Sequence, residues 1–175
     1  MSAITVDLHE VTGLAKALNS LAKDGKKRAF GKAGRDMAKE LTRLHILATQ
    51  TWVSYVVPNT TVLVRGDGMT VVSKTDNEIF SLLTVGARAH TIVPVNAPAL
   101  VFPWGGRGSY IAKTAPGTLA ASAGSGRDTG PITYRGIVNH PGFPAREYHE
   151  MIADEVLPFA VRALAIEIAR ELARL

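Results

Sequence analysis

The spacing of apolar residues changes twice along this sequence, and the order of the changes limits the fold. Residues 27–52 carry apolar side chains at helical spacing, whereas residues 60–74 alternate apolar and polar side chains as strands do. The stretch from Pro144 to Leu175 returns to helical spacing. Helices that precede and follow a run of strands are typical of α+β proteins. We therefore expect an antiparallel sheet or small sandwich, flanked by N-terminal helices and a long C-terminal helix.

Three elements are predicted before the sheet. Alternation over residues 4–8 indicates a short strand. Thr12 is a candidate cap for a first helix, which Gly25 would stop. A second helix follows over residues 27–52, where Gly31 and Gly34 either weaken its first turns or allow another element to approach it closely.

The middle of the chain has the pattern of strands. Residues 60–74 form a hairpin pattern around a turn at 66–68. The apolar run 78–95 follows, with a break at Gly86. Residues 98–104 are a further strand candidate.

The next segment is predicted to extend from the body of the protein. Pro103 places its strand at a sheet edge or ends it there, and residues 108–113 are expected to pair with that strand across Gly105-Gly106. Residues 105–131 are rich in turn-forming residues, and compact domains seldom hold structureless loops of this length. We expect an extended loop or an inter-subunit arm there, and a return to strand at 132–138.

Composition excludes several classes of protein. The chain has no cysteine, which rules out disulfides, thiolate metal sites and cysteine nucleophiles. No run approaches 18 apolar residues, so we expect no membrane span, and the first residues lack the basic and apolar regions of a signal peptide. The length of 175 residues suits one domain over 1–175.

The net charge of +5 is concentrated in the helical region. Residues 16–43 hold nine Lys or Arg against three Asp or Glu. The preferred interpretation is a solvated helix face. The alternative is a nucleic-acid-binding module over residues 23–43, although Phe30 is the only aromatic residue there that could stack on a base.

The C-terminal helix has two apolar stripes. One side is predicted to hold Leu157, Val161, Leu164, Ile168, Leu172 and Leu175. The other side is predicted to be charged, with Arg162, Glu167, Arg170 and Arg174 on it and Glu171 at its flank. Phe159 and Ile166 fall within the charged side, where they form a second partner surface or pack under a loop. Pro158 is expected to kink or restart the helix, because it lacks a backbone donor.

No constellation of residues predicts catalysis. The histidines are His9, His45, His90, His140 and His149. No two of them are four residues apart, and a metal site would require His90, His140 or His149 to converge with a carboxylate. The chain has no G-x-S-x-G elbow, and residues 105–108 lack the spacing of a phosphate loop. We expect no enzyme, catalytic residue, metal or cofactor; a site built on His140, Glu147 and His149 is the alternative.

The tripeptide His140-Pro141-Gly142 has a structural explanation. Pro141 favours extended geometry at His140, which suits a strand end. Gly142 permits a positive φ for a sharp reversal, and Pro144 is suited to the first turn of the helix. We interpret this stretch as a corner between a strand and the last helix.

Four segments together resemble the HK97-type neck and tail-completion proteins of tailed bacteriophages, which join heads to tails. They are VTGLAKALNSL (11–21), LLTVGARAHTI (82–92), PALVFPW (98–104) and VNHPGFPAREYHEMI (138–152). The first is similar to the opening helix of that family, and the second to its Gly-x-Arg-x-His segment. The third is similar to the strand that follows, and the fourth to the family's His-Pro-Gly turn into the last helix.

The resemblance implies a structural subunit of the virion at the head–tail junction, assembled in the cytoplasm of the host bacterium. It implies a homo-oligomeric ring, most simply a hexamer, that contacts adjacent neck and tail-tube proteins. Genomic DNA would pass through the ring without sequence-specific binding. A tail terminator or minor tail protein is the alternative within this class. The residues expected at interfaces are Phe159, Ile166, Trp104, Arg107, Tyr110 and Arg127.

Overall fold

The structure is a computed structural model and describes residues 2–7, 17, 19–65, 68–106, 110–119, 124, 126–128 and 130–175. The described chain has an α+β fold with three helices and seven strands. The helices are α1 (Lys23–Thr49), α2 (Glu78–Val85) and α3 (Tyr148–Leu172). The strands are β1 (Ser2–Asp7), β2 (Asn59–Arg65), β3 (Gly68–Thr75), β4 (His90–Ile92), β5 (Leu100–Pro103), β6 (Ile132–Arg135) and β7 (Val138–His140). None of the described helices is long and apolar enough to cross a membrane.

The main sheet has three antiparallel strands in the order β1-β3-β2. The predicted hairpin is confirmed, because β2 and β3 pair from Asn59 opposite Lys74 to Arg65 opposite Gly68. The turn residues 66 and 67 lie outside the described part of the chain. Every second residue of β3 is buried from Met69 to Thr75, so one face of the sheet packs on the helices.

Helix α1 lies across this sheet and contacts β2, β3 and α3. Its buried residues recur at intervals of three or four, as in Phe30, Ala33, Met37, Leu41, Leu44 and Ala48. A Cβ built on Gly34 would lie 2.4 Å from Val62 Cγ1 and 2.7 Å from Met69 Sδ. Gly34 therefore permits the close approach of the helix to the sheet.

The predicted boundary at Gly25 is wrong. Gly25 is buried inside α1, and the chain is extended at Ala22, immediately before the helix. The roughly 1 kcal/mol that glycine costs a helix relative to alanine is small beside the packing of a 27-residue element. Of the first helix predicted after Thr12, residues 8–16 and 18 lie outside the described chain, while Ala17 and Asn19 are helical.

Helix α3 runs antiparallel to α1. Ion pairs join Arg28 to Glu171 at 2.7 Å and Lys32 to Glu167 at 3.2 Å, so the start of α1 lies beside the end of α3. The helix runs unbroken through Pro158, and the predicted restart does not occur.

The apolar side predicted for α3 requires correction. The buried stripe consists of Tyr148, Ile152, Val156, Ala160, Leu164 and Ile168, at intervals of four. Leu157 and Leu175 are exposed, because they lie away from that stripe. Glu167 was assigned to the charged outer side but is buried, as is Glu171, because cationic side chains of α1 and α3 surround both carboxylates.

Helix α2 was not predicted. Asn77 caps it by accepting a hydrogen bond from the Phe80 amide at 2.8 Å. Phe80 is fully buried and stacks on Tyr148, with ring centroids 5.3 Å apart. The helix ends at Val85, and the residue that caps it, Gly86, has φ +76°.

Residues 86–140 form two small antiparallel sheets, β4 with β7 and β5 with β6. The predicted pairing of residues 108–113 with β5 is wrong, because β5 pairs with β6 and residues 110–113 contain no strand. The strand predicted over 132–138 is two strands, β6 and β7, which separate at residues 136–137 and join different partners. We call residues 86–140 the arm.

The apolar core lies outside the arm. It is built from β1, β3 and the three helices, with Leu21 and Val56 beside them. Among the described residues of the arm, only Thr114 is buried. A two-stranded sheet is marginal in water unless it packs against something else. The arm therefore has little internal packing to stabilise it.

Candidate assembly surfaces

The corner at His140-Pro141-Gly142 connects the arm to the body. His140 ends β7, and Gly142 has φ +82°. A Cβ on Gly142 would lie 2.2 Å from the Ala87 carbonyl oxygen, so the position requires glycine. The expected positive φ is present. The prediction that Pro144 lies in the first turn of the last helix is wrong, because α3 begins four residues later, at Tyr148. The residue that precedes the helix, Glu147, has the left-handed conformation.

The corner also brings together two motifs that are fifty residues apart. Ala87 and Phe143 exchange two backbone hydrogen bonds, at 3.0 and 2.9 Å. His90 pairs with His140 across β4 and β7, and their rings stack with centroids 5.0 Å apart. The Gly-x-Arg-x-His segment and the His-Pro-Gly turn therefore form one structural unit.

The structure does not support the alternative site on His140, Glu147 and His149. The His140 ring contacts His90 and Phe143, whereas the His149 ring lies against Phe80. Burial lowers the pKa of His149. The His140 Nδ1 accepts a hydrogen bond from the Gly142 amide at 3.0 Å, which accounts for that nitrogen structurally. Across the part of the chain that the structure describes, no three His, Asp or Glu side chains are grouped to hold a metal ion.

Phe159 and Ile166 line the same groove, between the outer sides of α1 and α3. The groove has a volume of about 400 Å³. Its charged rim is formed by Asp36, Lys39, Glu40, Arg43, Arg162, Glu167 and Arg170, and Ala163 completes the lining. Arg43 donates two hydrogen bonds to Glu40, which lower the pKa of that carboxyl. We call this surface the helical groove.

Trp104 and Tyr110 line a second and larger groove of about 680 Å³, between the two small sheets of the arm. Its other apolar walls are formed by Ile92, Leu100, Val101, Phe102, Pro103, Val138 and Pro141. Asp128 holds the base of the groove together by accepting hydrogen bonds from the Gly105 and Gly130 amides, both at 2.9 Å. We call this surface the arm groove.

The remaining two predicted interface residues, Arg107 and Arg127, are not placed in either groove. Arg127 is exposed beside Asp128 on the arm and is not among the residues that line the arm groove. Arg107 lies outside the described residues. The six predicted residues therefore do not form one site: two line the helical groove, two line the arm groove, and Arg127 lies elsewhere on the arm.

Two exposed apolar surfaces were not predicted from the sequence. In the β5–β6 ribbon, Val101 lies opposite Tyr134 and Pro103 lies opposite Ile132, and all four side chains are exposed. On α2, the side chains of Ile79, Leu82 and Val85 are 61%, 50% and 75% exposed. We call the first surface the ribbon face and the second the α2 ridge. The strands of the ribbon were predicted but their pairing was not, and a spacing of three would have indicated the second surface had α2 been predicted.

The basic stretch of α1 is partly neutralised by ion pairs. Arg28 and Lys32 pair with carboxylates of α3. Lys39 pairs with Asp36 at 3.6 Å and Arg43 with Glu40 at 2.7 Å. A phosphate backbone would have to compete with these carboxylates, so the arrangement favours the solvated helix face over a nucleic-acid surface.

These features define an α+β protein with a helical pair on a three-stranded sheet and an apolar arm. The chain matches no protein-family model, no curated protein and no solved structure. What can be proposed about its function therefore depends on the surfaces described above and on the resemblance of the four sequence segments.

Proposed function

We propose that this protein is a structural subunit of a bacteriophage head–tail connector, a neck or tail-completion ring that joins the tail to the DNA-filled head. One observation carries the proposal: the arm displays apolar side chains on both sides of a thin β ribbon. Leu100 and Phe102 of β5 line the arm groove, whereas Ile132 and Tyr134 of the paired strand β6 are exposed and do not line it. Apolar side chains exposed on both sides of a ribbon favour its being covered by another molecule.

Three aromatic side chains of the arm are about half exposed or more. At about 200 Å² for a fully exposed aromatic side chain, Trp104, Tyr110 and Tyr134 alone leave roughly 300 Å² accessible. The aliphatic side chains of the arm add to this area. The largest apolar patch on a typical monomer covers about 300–600 Å², and larger patches mark interaction surfaces. Proteins that assemble into rings carry such surfaces on every copy.

The specific class comes from the resemblance of the four segments. The fold supports this class in one respect: the two best-defined motifs, Gly86–His90 and His140–Gly142, contact each other. Together they form the corner at which the chain leaves the arm and enters the last helix. In this proposal the body forms the wall of the ring. The arm and the helical groove contact neighbouring copies or the adjacent neck and tail-tube rings.

Labelling tests the location. Antibodies against this protein, coupled to gold, are applied to particles produced by the phage that encodes it. The proposal predicts gold at the head–tail junction. Gold confined to the distal tail tip or the capsid surface, or particles without the protein, would contradict it.

The helical groove, which Phe159 lines, has its own test. Phe159→Asp is expected to impair assembly more than it impairs folding of the monomer, because Phe159 is half-buried in an open groove. Loss of the soluble folded monomer would mean that Phe159 belongs to the core. Leu157→Asp, at an exposed position two residues away on the same helix, is the matched control.

A further inference from the structure

Phe80, the residue that anchors α2 to the body, is enclosed by four other aromatic rings. Its ring centroid lies 5.3 Å from that of Tyr148, 5.5 Å from His45, 5.7 Å from His149 and 6.5 Å from Trp52. Phe80 and Tyr148 are fully buried, and His45 is 1% exposed. We call these five residues the Phe80 cluster. Two of its rings are imidazoles, whose charge ordinarily changes between about pH 5 and 8.

Few other side chains attach α2 to the body. Of its eight residues, Phe80 and Thr84 are the ones that are buried. The Thr84 hydroxyl donates to the Phe80 carbonyl of the same helix at 2.8 Å, so it adds no link to another element. Leu83 is half-buried, and its carbonyl accepts a hydrogen bond from the Arg146 amide. Short elements with few buried side chains open locally before the whole protein unfolds.

The two histidines are held in their neutral form. Burial lowers the pKa of His45; the hydrogen bond to the Leu41 carbonyl opposes this effect, and His149 adds to it. Burial also lowers the pKa of His149, against the opposing effect of Glu150. His45 Nδ1 donates to the Leu41 carbonyl at 2.8 Å. A proton added to either imidazole would place a charge among apolar rings, which is costly without a partner.

The charged groups around the Phe80 cluster offer little compensation for such a charge. They are Glu40 and Arg43 of α1, which pair with each other, Glu78 of α2, Glu150 of α3 and Lys113 of the arm. Glu78 and Glu150 are exposed. Lys113 donates to the Thr51 carbonyl beside Trp52 at 3.0 Å and so brings a positive charge to this region. The surroundings therefore favour neutral imidazoles while Phe80 is in place.

We propose that the Phe80 cluster is a pH-dependent attachment, in which protonation of His45 and His149 releases Phe80, and with it α2, from the body. At neutral pH both rings are neutral and α2 is attached. In the released state water reaches both imidazoles and hydrates their charges. Because the chain passes from α2 directly into the corner at Gly86, release also loosens the base of the arm. This device is independent of the connector function.

The direction of the effect follows from proton linkage. In the released state each imidazole has the ordinary pKa of about 6.5, whereas in the attached state the pKa is lower. Release is therefore favoured as the pH falls below about 6.5, by at most about tenfold per pH unit for each histidine. Between about pH 7.5 and about pH 5.0, one histidine can raise the released fraction by up to about 30-fold. Glutamates with the ordinary pKa of about 4.3 stay mostly ionised over this range.

Thiol labelling tests the release, because the chain contains no cysteine. Thr84→Cys places a thiol on the buried side of α2, and Ser73→Cys places a matched thiol in β3, where Ser73 is 1% exposed. The labelling rate of each folded variant is divided by its rate in urea at the same pH, which cancels the ionisation of the thiol. From about pH 7.5 to about pH 5.0, protection at position 84 should fall at least about tenfold further than at position 73. Equal changes at the two positions, or no change at position 84, would overturn the inference.

Substitutions in the Thr84→Cys background test the role of the imidazoles. His149→Gln removes one titrating ring at a half-buried position and should reduce the fall in protection by at least about threefold. His90→Gln is the matched control and should leave the fall unchanged, since His90 is exposed in β4 and stacks on His140. The same fall in both variants would contradict the proposed role of His149.

Amide hydrogen exchange gives the same quantity without any substitution. After correction for the intrinsic effect of pH on exchange, the protection of residues 81–85 should fall over this range relative to residues 37–44 of α1. A constant ratio between the two segments would overturn the inference. The connector function would stand in that case, because gold labelling measures location without reference to α2.

Discussion

Two glycines of α1 test how closely that helix packs on the sheet. Gly31 and Gly34 are three residues apart on the same helix, and both are replaced by alanine. Around Gly31, the only atom near the new Cβ is Arg35 Nη1 at 3.7 Å, which is ordinary contact. Around Gly34, Val62 Cγ1 and Met69 Sδ are 2.4 and 2.7 Å from the new Cβ.

The two substitutions should have opposite effects on stability. Gly31→Ala should raise the free energy of unfolding by about 0.5–1 kcal/mol, the usual gain on removing a helical glycine. Gly34→Ala has the same gain but must displace Val62 by about 1 Å, since Val62 is a stiff β-branched residue in β2. Overpacking costs about 1–3 kcal/mol, and the upper end applies here because two neighbours are displaced.

Urea unfolding followed by circular dichroism measures both variants. We expect Gly34→Ala to be less stable than Gly31→Ala by about 2–3 kcal/mol, the overpacking cost that remains when the shared helical gain cancels. The slope of the free energy against urea should be unchanged, so that the midpoints report stability directly. If Gly34→Ala is as stable as Gly31→Ala, α1 does not contact the sheet as described.

Three further predictions concern the helix pair, the corner and the helical groove. The hydrogen bond from Arg28 is the main cause that lowers the pKa of Glu171 in the folded state. The stabilisation that the ionised Glu171 contributes is therefore present at neutral pH and lost as the pH falls through that lowered pKa. The free energy of unfolding of Glu171→Gln should fall less steeply in acid than that of the wild type. Gly142→Ala should destabilise by more than about 1 kcal/mol in thermal unfolding, because φ is +82° and the new Cβ meets the Ala87 carbonyl, whereas Gly136→Ala, in open space, should be near neutral. Ile166→Asp should reduce assembly measured by native mass spectrometry while leaving the melting temperature within a few degrees of wild type, since Ile166 is 46% exposed.

Elements with a sustained period were predictable from the sequence. The alternation over residues 60–74 predicted the β2–β3 hairpin, and the helical period predicted α1 and α3. Helix α2 was missed because its eight residues are too few to establish a helical period within the longer apolar run 78–95. The signal that was available was Asn77, a capping residue immediately before an apolar run.

Features that depend on distant partners were not predictable. The sequence predicted that β5 pairs with the nearest strand pattern, residues 108–113. Its actual partner, β6, lies beyond a long loop. Glu167 and Glu171 look like surface residues by spacing, and their burial depends on Arg28 and Lys32 more than 130 positions earlier in the chain. That Phe159 and Ile166 lie on one side of α3 was predictable, because a long helix fixes which residues share a side.

The central claim, that this protein connects heads to tails, is tested most directly by electron micrographs of lysates from a phage lacking the protein. The proposed function predicts full heads beside separate tails of uniform length. Tails of uncontrolled length would instead indicate a tail terminator. Normal joined and infectious particles would contradict the connector function outright.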